Sequence, residues 1–368
     1  MKAGTQAARV MSGPPIHLVV LAALLAASSC DLFRVKKPTV MSQRQLSNSG
    51  RLSSINDTLL FVCGSGHYDI INTRFPDSVF WQDSGRSAYQ VLSAEFRGLT
   101  GFLRIGWNPD TIVALDISGG VPGQYSVLGK LALPMQGYNA MALDDEHLCL
   151  AALDSAYIVE TGGDPADLRL VGSCYLPDVQ GYLGLGPAGP IAVNGKWMVV
   201  QWCAYWAGAG DSFWVSAFDI SNPQTPVRRG TWSSGTRAMM AGDLAIVGDI
   251  CYSADGLGLR SYDLAHSGGP VQLDSCDVNW EWRGRRSPPG TGYARATQLA
   301  IAGKYACISC TNPGNAVIDI SNPRKLKFVF PGLLDDGGLA LGVGCCANSR
   351  YYFVSTQDKG FLTCFALP

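Results

Sequence analysis

An apolar run closed by an acidic or amide residue recurs six times along the chain. The copies are Ile70-Ile71-Asn72-Thr73, Ala114-Leu115-Asp116-Ile117-Ser118, Ile158-Val159-Glu160-Thr161, Ala217-Phe218-Asp219-Ile220-Ser221, Ser261-Tyr262-Asp263-Leu264 and Val317-Ile318-Asp319-Ile320-Ser321. Measured from Asn72, Asp116, Glu160, Asp219, Asp263 and Asp319, the spacings are 44, 44, 59, 44 and 56 residues, and a degenerate seventh copy ends at Ala366, 47 further on. A fixed period of this size means one supersecondary unit per repeat, each unable to bury its apolar face without a neighbour.

The sixth unit shows what that element is. Gln298 to Ile301, Tyr305 to Cys310, Asn315 to Ile320 and Lys325 to Phe330 read as four short strands, with the tight turn Ala302-Gly303-Lys304 between the first two. Ser321-Asn322-Pro323, repeated as Ser221-Asn222-Pro223, joins the last two. Ser and Asn side chains hydrogen-bond the nearby backbone in such turns, and Pro fixes φ. The repeated Asp is expected to do the same job, once per unit. With 43 Gly, 20 Pro and 15% charged residues, the composition agrees with many buried strands and tight turns. Four strands per 40 to 50 residues is the period of a propeller blade, and a closed ring protects the strand edges. The expected fold is therefore all-β, a propeller of seven four-stranded blades.

At these residues the chain resembles the LVIVD-repeat family, whose units run as a Gly-containing turn, an aromatic apolar strand, and an apolar strand ending in Asp-Ile-Ser-Asn-Pro. The match is closest at 298 to 330 and 190 to 232, weaker at 51 to 83, 94 to 133, 138 to 176 and 237 to 278, and degenerate at 338 to 367. The resemblance implies a bacterial cell-surface or envelope β-propeller. It brings no catalytic residues.

The last unit supplies three strands, Ala340 to Gly344, Tyr351 to Thr356 and Gly360 to Leu367, and then the chain stops. The segment Lys37 to Leu46 is expected to add the missing strand through Thr39-Val40-Met41 and so fix the ring at seven. If 31 to 50 were only a tether, the seventh blade would keep three strands or the ring would have six blades.

Before that segment, Lys2 and Arg9 precede the apolar stretch Ile16 to Ala27 and the small residues leading to Cys30. The stretch is shorter than the ~20 residues that span a bilayer, and it reads as a secretory signal. Ala27-Ser28-Ser29-Cys30 resembles a lipoprotein lipobox, with Ala in place of the usual Leu at Ala27. The expectation is a signal over 1–29, lipidation at Cys30, a tether and closing strand over 30–50, and the propeller over 51–368. Ordinary cleavage to a secreted or periplasmic soluble product is the alternative. The processed chain carries 26 Lys and Arg against 29 Asp and Glu, a net charge of −3. That balance does not favour nucleic acid, and the only membrane attachment expected is the N-terminal lipid.

Two repeat spacings exceed 44, by 15 and 12 residues. The extra residues fall around Gln201 to Ser212, between the second and third strands of unit four, and around Val278 to Ala294, between units five and six. Both connections leave the same face of a four-stranded blade, and insertions in repeat proteins tend to gather on one binding face. They carry Trp202, Tyr205 and Trp206 in one, and Trp280, Trp282, Arg283, Arg285 and Arg286 in the other. Trp, Tyr and Arg are favoured at binding hot spots. These eight are the candidate ligand-binding residues, for a protein or a glycan; the competing reading is that the Trp rings pack on one another.

No catalytic, metal or cofactor site is expected. Beyond the signal only His67, His147 and His266 remain, with no His-Glu-x-x-His, Gly-x-Ser-x-Gly or phosphate loop. Cys307 and Cys310 face opposite sides of a strand, which suits neither a metal nor a redox pair. Twelve cysteines are compatible with an oxidising compartment, yet several sit inside strands as small hydrophobes. The reading is a binding or scaffold module of the cell envelope, with a glycan-active hydrolase or lyase using acidic residues in the central depression as the alternative.

Overall fold

The computed structural model describes residues 40–45, 51–56, 58–64, 67–73, 80–86, 90–106, 110–118, 125–134, 140–152, 154–176, 184–185, 189–205, 212–236, 242–255, 258–277, 296–310, 315–332, 342–348, 350–356 and 361–367. Side chains are described for most of these. The Cys30 assignment and the secretory signal lie outside the described residues.

Among the described residues, 29 strands form seven antiparallel sheets. Blade 1 is β2 to β5 (Arg51–Asn56, Leu59–Gly64, His67–Asn72, Phe80–Arg86) and blade 2 is β6 to β9 (Gln90–Arg97, Thr100–Gly106, Thr111–Asp116, Ser126–Ala132). Blade 3 is β10 to β13 (Ala140–Leu143, His147–Ala151, Ser155–Glu160, Arg169–Tyr175). Blade 4 is β14 to β18 (Gly184–Leu185, Ile191–Asn194, Trp197–Tyr205, Ser212–Asp219, Val227–Thr236), where β14 and β15 both pair with β16 and together replace one inner strand. Blade 5 is β19 to β22 (Asp243–Val247, Ile250–Ala254, Gly258–Asp263, Val271–Asp277) and blade 6 is β23 to β26 (Ala296–Ala302, Tyr305–Cys310, Asn315–Asp319, Lys327–Gly332). Blade 7 is β27 to β29 (Gly342–Ala347, Tyr351–Thr356, Phe361–Ala366) plus β1 (Val40–Gln45).

The expected closing strand is β1. It pairs antiparallel with β29, from Val40 opposite Phe365 to Gln45 opposite Phe361. First and last segments thus share one sheet, the ring has seven blades, and the outer edge of β29 is covered.

Each blade's third strand ends at the repeated anchor, and in blades 2, 4, 5 and 6 its side chain makes the expected turn bond. Asp116, Asp219, Asp263 and Asp319 accept through Oδ1 from the backbone N–H two residues on, at 2.8, 3.1, 3.0 and 2.9 Å. Asn222 and Asn322 repeat this one step later, onto the amides of Gln224 and Arg324. Ser118 and Ser321 hold the carboxyls of Asp116 and Asp319 below the usual carboxylate range. Glu160 instead pairs with Arg169 at 2.6 Å across the same hairpin.

The core lies in the seams between blades. The residue before each anchor points at the preceding blade, and Ile71, Val159, Phe218, Tyr262, Ile318 and Phe365 are all buried there. The outer strand of blades 1 to 6 carries a bulge opposite this position. An extra residue increases local twist, as the splay of a ring of sheets requires.

Next to the bulge lies an inter-blade latch. Gly129, Gly172 and Gly230 occupy one equivalent outer-strand position, and each meets the proline turn of the following blade. A Cβ there would stand 2.5 Å from Pro165 O, 1.8 Å from Pro223 O and 2.6 Å from Pro270 Cδ. Blade 5 has Asp274 at this position, and its carboxylate accepts from Leu326 N at 2.7 Å while Ser261 Oγ donates to Pro323 O at 2.6 Å. Room for a neighbour's turn and a hydrogen bond to it are two solutions to one contact.

Candidate functional site

The strand order gives the ring two unlike ends. One carries the turns between first and second and between third and fourth strands. The other carries the second-to-third connections and the passages from blade to blade.

The turn end is tied together laterally. Asp144 Oδ2 accepts from Gly195 N at 2.6 Å, Asn194 Nδ2 donates to Gly248 O at 2.6 Å, and Asp249 Oδ1 accepts from Trp197 Nε1 at 2.7 Å and Lys196 Nζ at 3.1 Å. Arg97 donates to the carbonyls of Asp145 and Thr161. These contacts link blades 2 to 5. Bonds from Trp197 and Lys196 hold the Asp249 carboxyl low. Burial works to raise Asp144, but donors from His147, Glu146 and Gly195 outweigh it and keep this carboxyl below its ordinary value. His147 Nδ1 lies 3.6 Å from Asp144 Oδ1, and that carboxylate raises the imidazole's pKa.

The opposite end receives both insertions, since 206–211 joins β16 to β17 and 278–295 joins β22 to β23. The first is shorter as a loop than the sequence suggested. Gln201 to Tyr205 continue β16 and Ser212 begins β17, with Ala204 opposite Ser212 and β14 pairing with Ala204 and Tyr205. The extra residues lengthen a hairpin, because a run of Trp, Cys, Ala and Tyr suits a pleated, half-buried surface.

Trp202 is fully buried in the seam between blades 3 and 4. Its ring stacks on Trp214 with centroids 6.0 Å apart and planes 17° apart, and its Nε1 donates to Ser216 Oγ at 3.0 Å. Ser216 Oγ in turn lies 2.9 Å from Thr231 Oγ1. Trp202 is thus held by packing and a polar chain inside the blade. Trp214 was not singled out from the sequence; its alternation with Ser216 and Phe218 along one strand was the only signal. Its Nε1 is buried and meets no acceptor among the described residues. Tyr205 closes β16 through its backbone pair with Gly184. The Tyr205 side chain and all of Trp206, Trp280, Trp282, Arg283, Arg285 and Arg286 lie outside the described residues.

Carboxylates near the loop end are also engaged. Asp255 accepts from Arg260 Nε at 2.6 Å and Gly258 N at 2.9 Å, Asp110 lies 3.4 Å from Arg104, and Asp154 accepts from Ser155 Oγ at 2.8 Å. Among the described residues no three His, Cys, Asp or Glu converge as metal ligands. Eight described cysteines carry free thiols, seven of them buried. Burial pushes Cys174 and Cys345 up to about 12, and Cys149, Cys251, Cys307 and Cys346 are raised for the same reason. Nucleophilic chemistry needs a thiolate, so these are packing residues. No described helix is long and apolar enough to cross a membrane.

The fold is shared with solved propellers. A chain of a mitotic checkpoint complex aligns with TM-score 0.63 at 10% identity, over 90% of this chain and 96% of that one. The β-propeller domain of Myceliophteria thermophila Cps50 (Swd1) aligns at 0.60 and 9%, over 90% and 100%. BamB from Moraxella catarrhalis aligns at 0.53 and 11%, over 90% and 100%. At such identities the likeness is one of fold alone. No curated protein matches the chain by sequence. The LVIVD repeat model matches residues 292–331, the span of blade 6 that holds Gln298, Asp319 and the Ser321-Asn322-Pro323 turn, so the chain carries an LVIVD repeat there.

Proposed function

We propose that this protein is a non-enzymatic binding or scaffold module, exported and held at the cell envelope through Cys30, that presents its loop-bearing end to a protein or a glycan. The observation that carries the reading is topological: both insertions leave the ring at one end, while at the other end hydrogen bonds tie blades 2 to 5 together. The two insertions carry Trp206, Trp280, Trp282, Arg283, Arg285 and Arg286 in sequence, residue types that bring large contact area with polar reach to binding surfaces. Engagement of Asp110, Asp154 and Asp255 in structural contacts weighs against an acid–base pair there.

The test is retention of the full chain on glycan and envelope-protein arrays, with thermal unfolding followed in parallel. Trp206→Ala, Trp280→Ala and Trp282→Ala are expected to weaken retention and leave the unfolding midpoint within a few degrees. Trp202→Ala should do the reverse. Retention indifferent to all three loop substitutions would reject the proposal.

A further inference from the structure

The seam between blades 1 and 2 departs from the others. In six blades the residue before the anchor is buried at 4% exposure or less, but its blade 2 counterpart, Leu115, is only partly covered. Two positions on, Thr73, Thr161, Ile220, Leu264 and Ile320 are buried, whereas Ile117, like Leu367 of blade 7, is partly open. A cleft of about 210 Å³ runs along this seam. Phe61 and Ile70 of blade 1 form one wall; Leu103, Val113, Leu115 and Ile117 of blade 2 form the other.

The cause lies in the outer strands. Opposite the residue four before the anchor, blades 2 to 5 carry Leu131, Cys174, Trp232 and Cys276, and each packs into the seam toward the next blade. Blade 1 carries Gly85 there, opposite Tyr68. Blade 6 also has glycine, Gly332, but its seam is filled by Tyr352 and Phe365, both fully buried. At the first seam Gly85 adds no side chain at this position, and the described aromatics Phe61 and Phe96 pack on each other with ring centroids 5.1 Å apart, beside the cleft. Apolar cavities of roughly 150 Å³ stay dry and take up benzene-sized ligands. A cleft of this size offers more.

One side chain in the lining is charged. Lys130, exposed on β9, borders the cleft and makes no ion pair among the described residues. We propose that this seam binds a medium-chain aliphatic carboxylate, its chain along Phe61, Ile70, Val113, Leu115 and Ile117 and its anionic end at Lys130. Burial of the chain supplies most of the affinity, and Lys130 selects the head group. This site is separate from the loop-bearing end, so it stands or falls apart from the function proposed above.

Titration of the full chain with decanoate, decanol and decyltrimethylammonium below their micellar concentrations, followed by calorimetry and by unfolding midpoint, tests it. Decanoate should saturate at one per chain, with the cation at least several-fold weaker. Lys130→Glu should reverse that preference. Gly85→Leu, which restores the plug of blade 2, should abolish uptake of all three without lowering the midpoint; should it lower the midpoint, Ile117→Trp takes its place as the filling variant. Failure of decanoate to saturate, or binding unaffected by filling, overturns the site. Equal affinity for all three head groups overturns the carboxylate assignment.

Discussion

Gln298 Nε2 donates to the backbone carbonyl of Leu52 at 2.7 Å, joining blade 6 to blade 1. Its Oε1 accepts from Leu52 N at 3.4 Å and from Cys345 N, in blade 7, at 3.1 Å. One side-chain amide therefore satisfies backbone groups of both blades beyond its own, where the ring closes. Ser53 Oγ donates to Ala94 O at 2.7 Å between blades 1 and 2, and Asp243 Oδ2 accepts from Leu299 N at 2.8 Å between blades 5 and 6.

Gln298→Leu should lose this clamp and leave the Leu52 and Cys345 backbone groups without it. An unsatisfied buried group costs about 1–3 kcal/mol. Chemical denaturation should show a loss in that range; a loss below about 0.5 kcal/mol would show that water replaces the amide.

Gly172→Ala places a methyl group 1.8 Å from Pro223 O, a backbone atom that cannot swing aside. Blades 3 and 4 must separate locally, and overpacking typically costs about 1–3 kcal/mol. Gly163→Ala, in an open turn with nothing within 4 Å, is the control and should change the midpoint little.

A chain beginning at residue 47 lacks β1 and exposes the edge of β29. Unpaired edges template association. The shortened protein should unfold at lower temperature and show concentration-dependent oligomers by sedimentation, whereas the chain beginning at residue 38 should remain monomeric at the same concentrations.

The Asp144–His147 pair predicts a pH dependence. Since His147 is raised in the folded state, its contribution is fully present below the ordinary value of 6.5 and is lost as pH rises through the folded pKa. Asp144 is lowered, so its contribution is present above 3.8 and is lost as pH falls through its folded pKa. Stability should fall as pH rises above 6.5 in the native chain. Asp144→Asn should flatten that slope, as read from unfolding midpoints across the range.

Sequence by itself determined the repeat, the four strands per unit and the Asp and Asn turn bonds, and it offered 37 to 46 as a closing strand against a mere tether, which the pairing of Val40–Gln45 with β29 decided. Those signals are local: alternation along a strand and side chains that reach one or two residues away, as Asp319 reaches Ser321. It also separated the two faces, because connectivity alone decides where 206–211 and 278–295 emerge. Tertiary structure decided the rest. Trp202 lies in the core because β14 and β15 share β16 as partner, and Gln201 to Tyr205 extend a hairpin instead of forming a loop. Gln298 meets Leu52 across 246 residues, Gly172 meets Pro223, and Gly85 matters only through the seam it leaves unplugged. Contacts between blades join residues about one repeat or more apart, and no pattern within a single strand records which side chain a neighbouring blade will need.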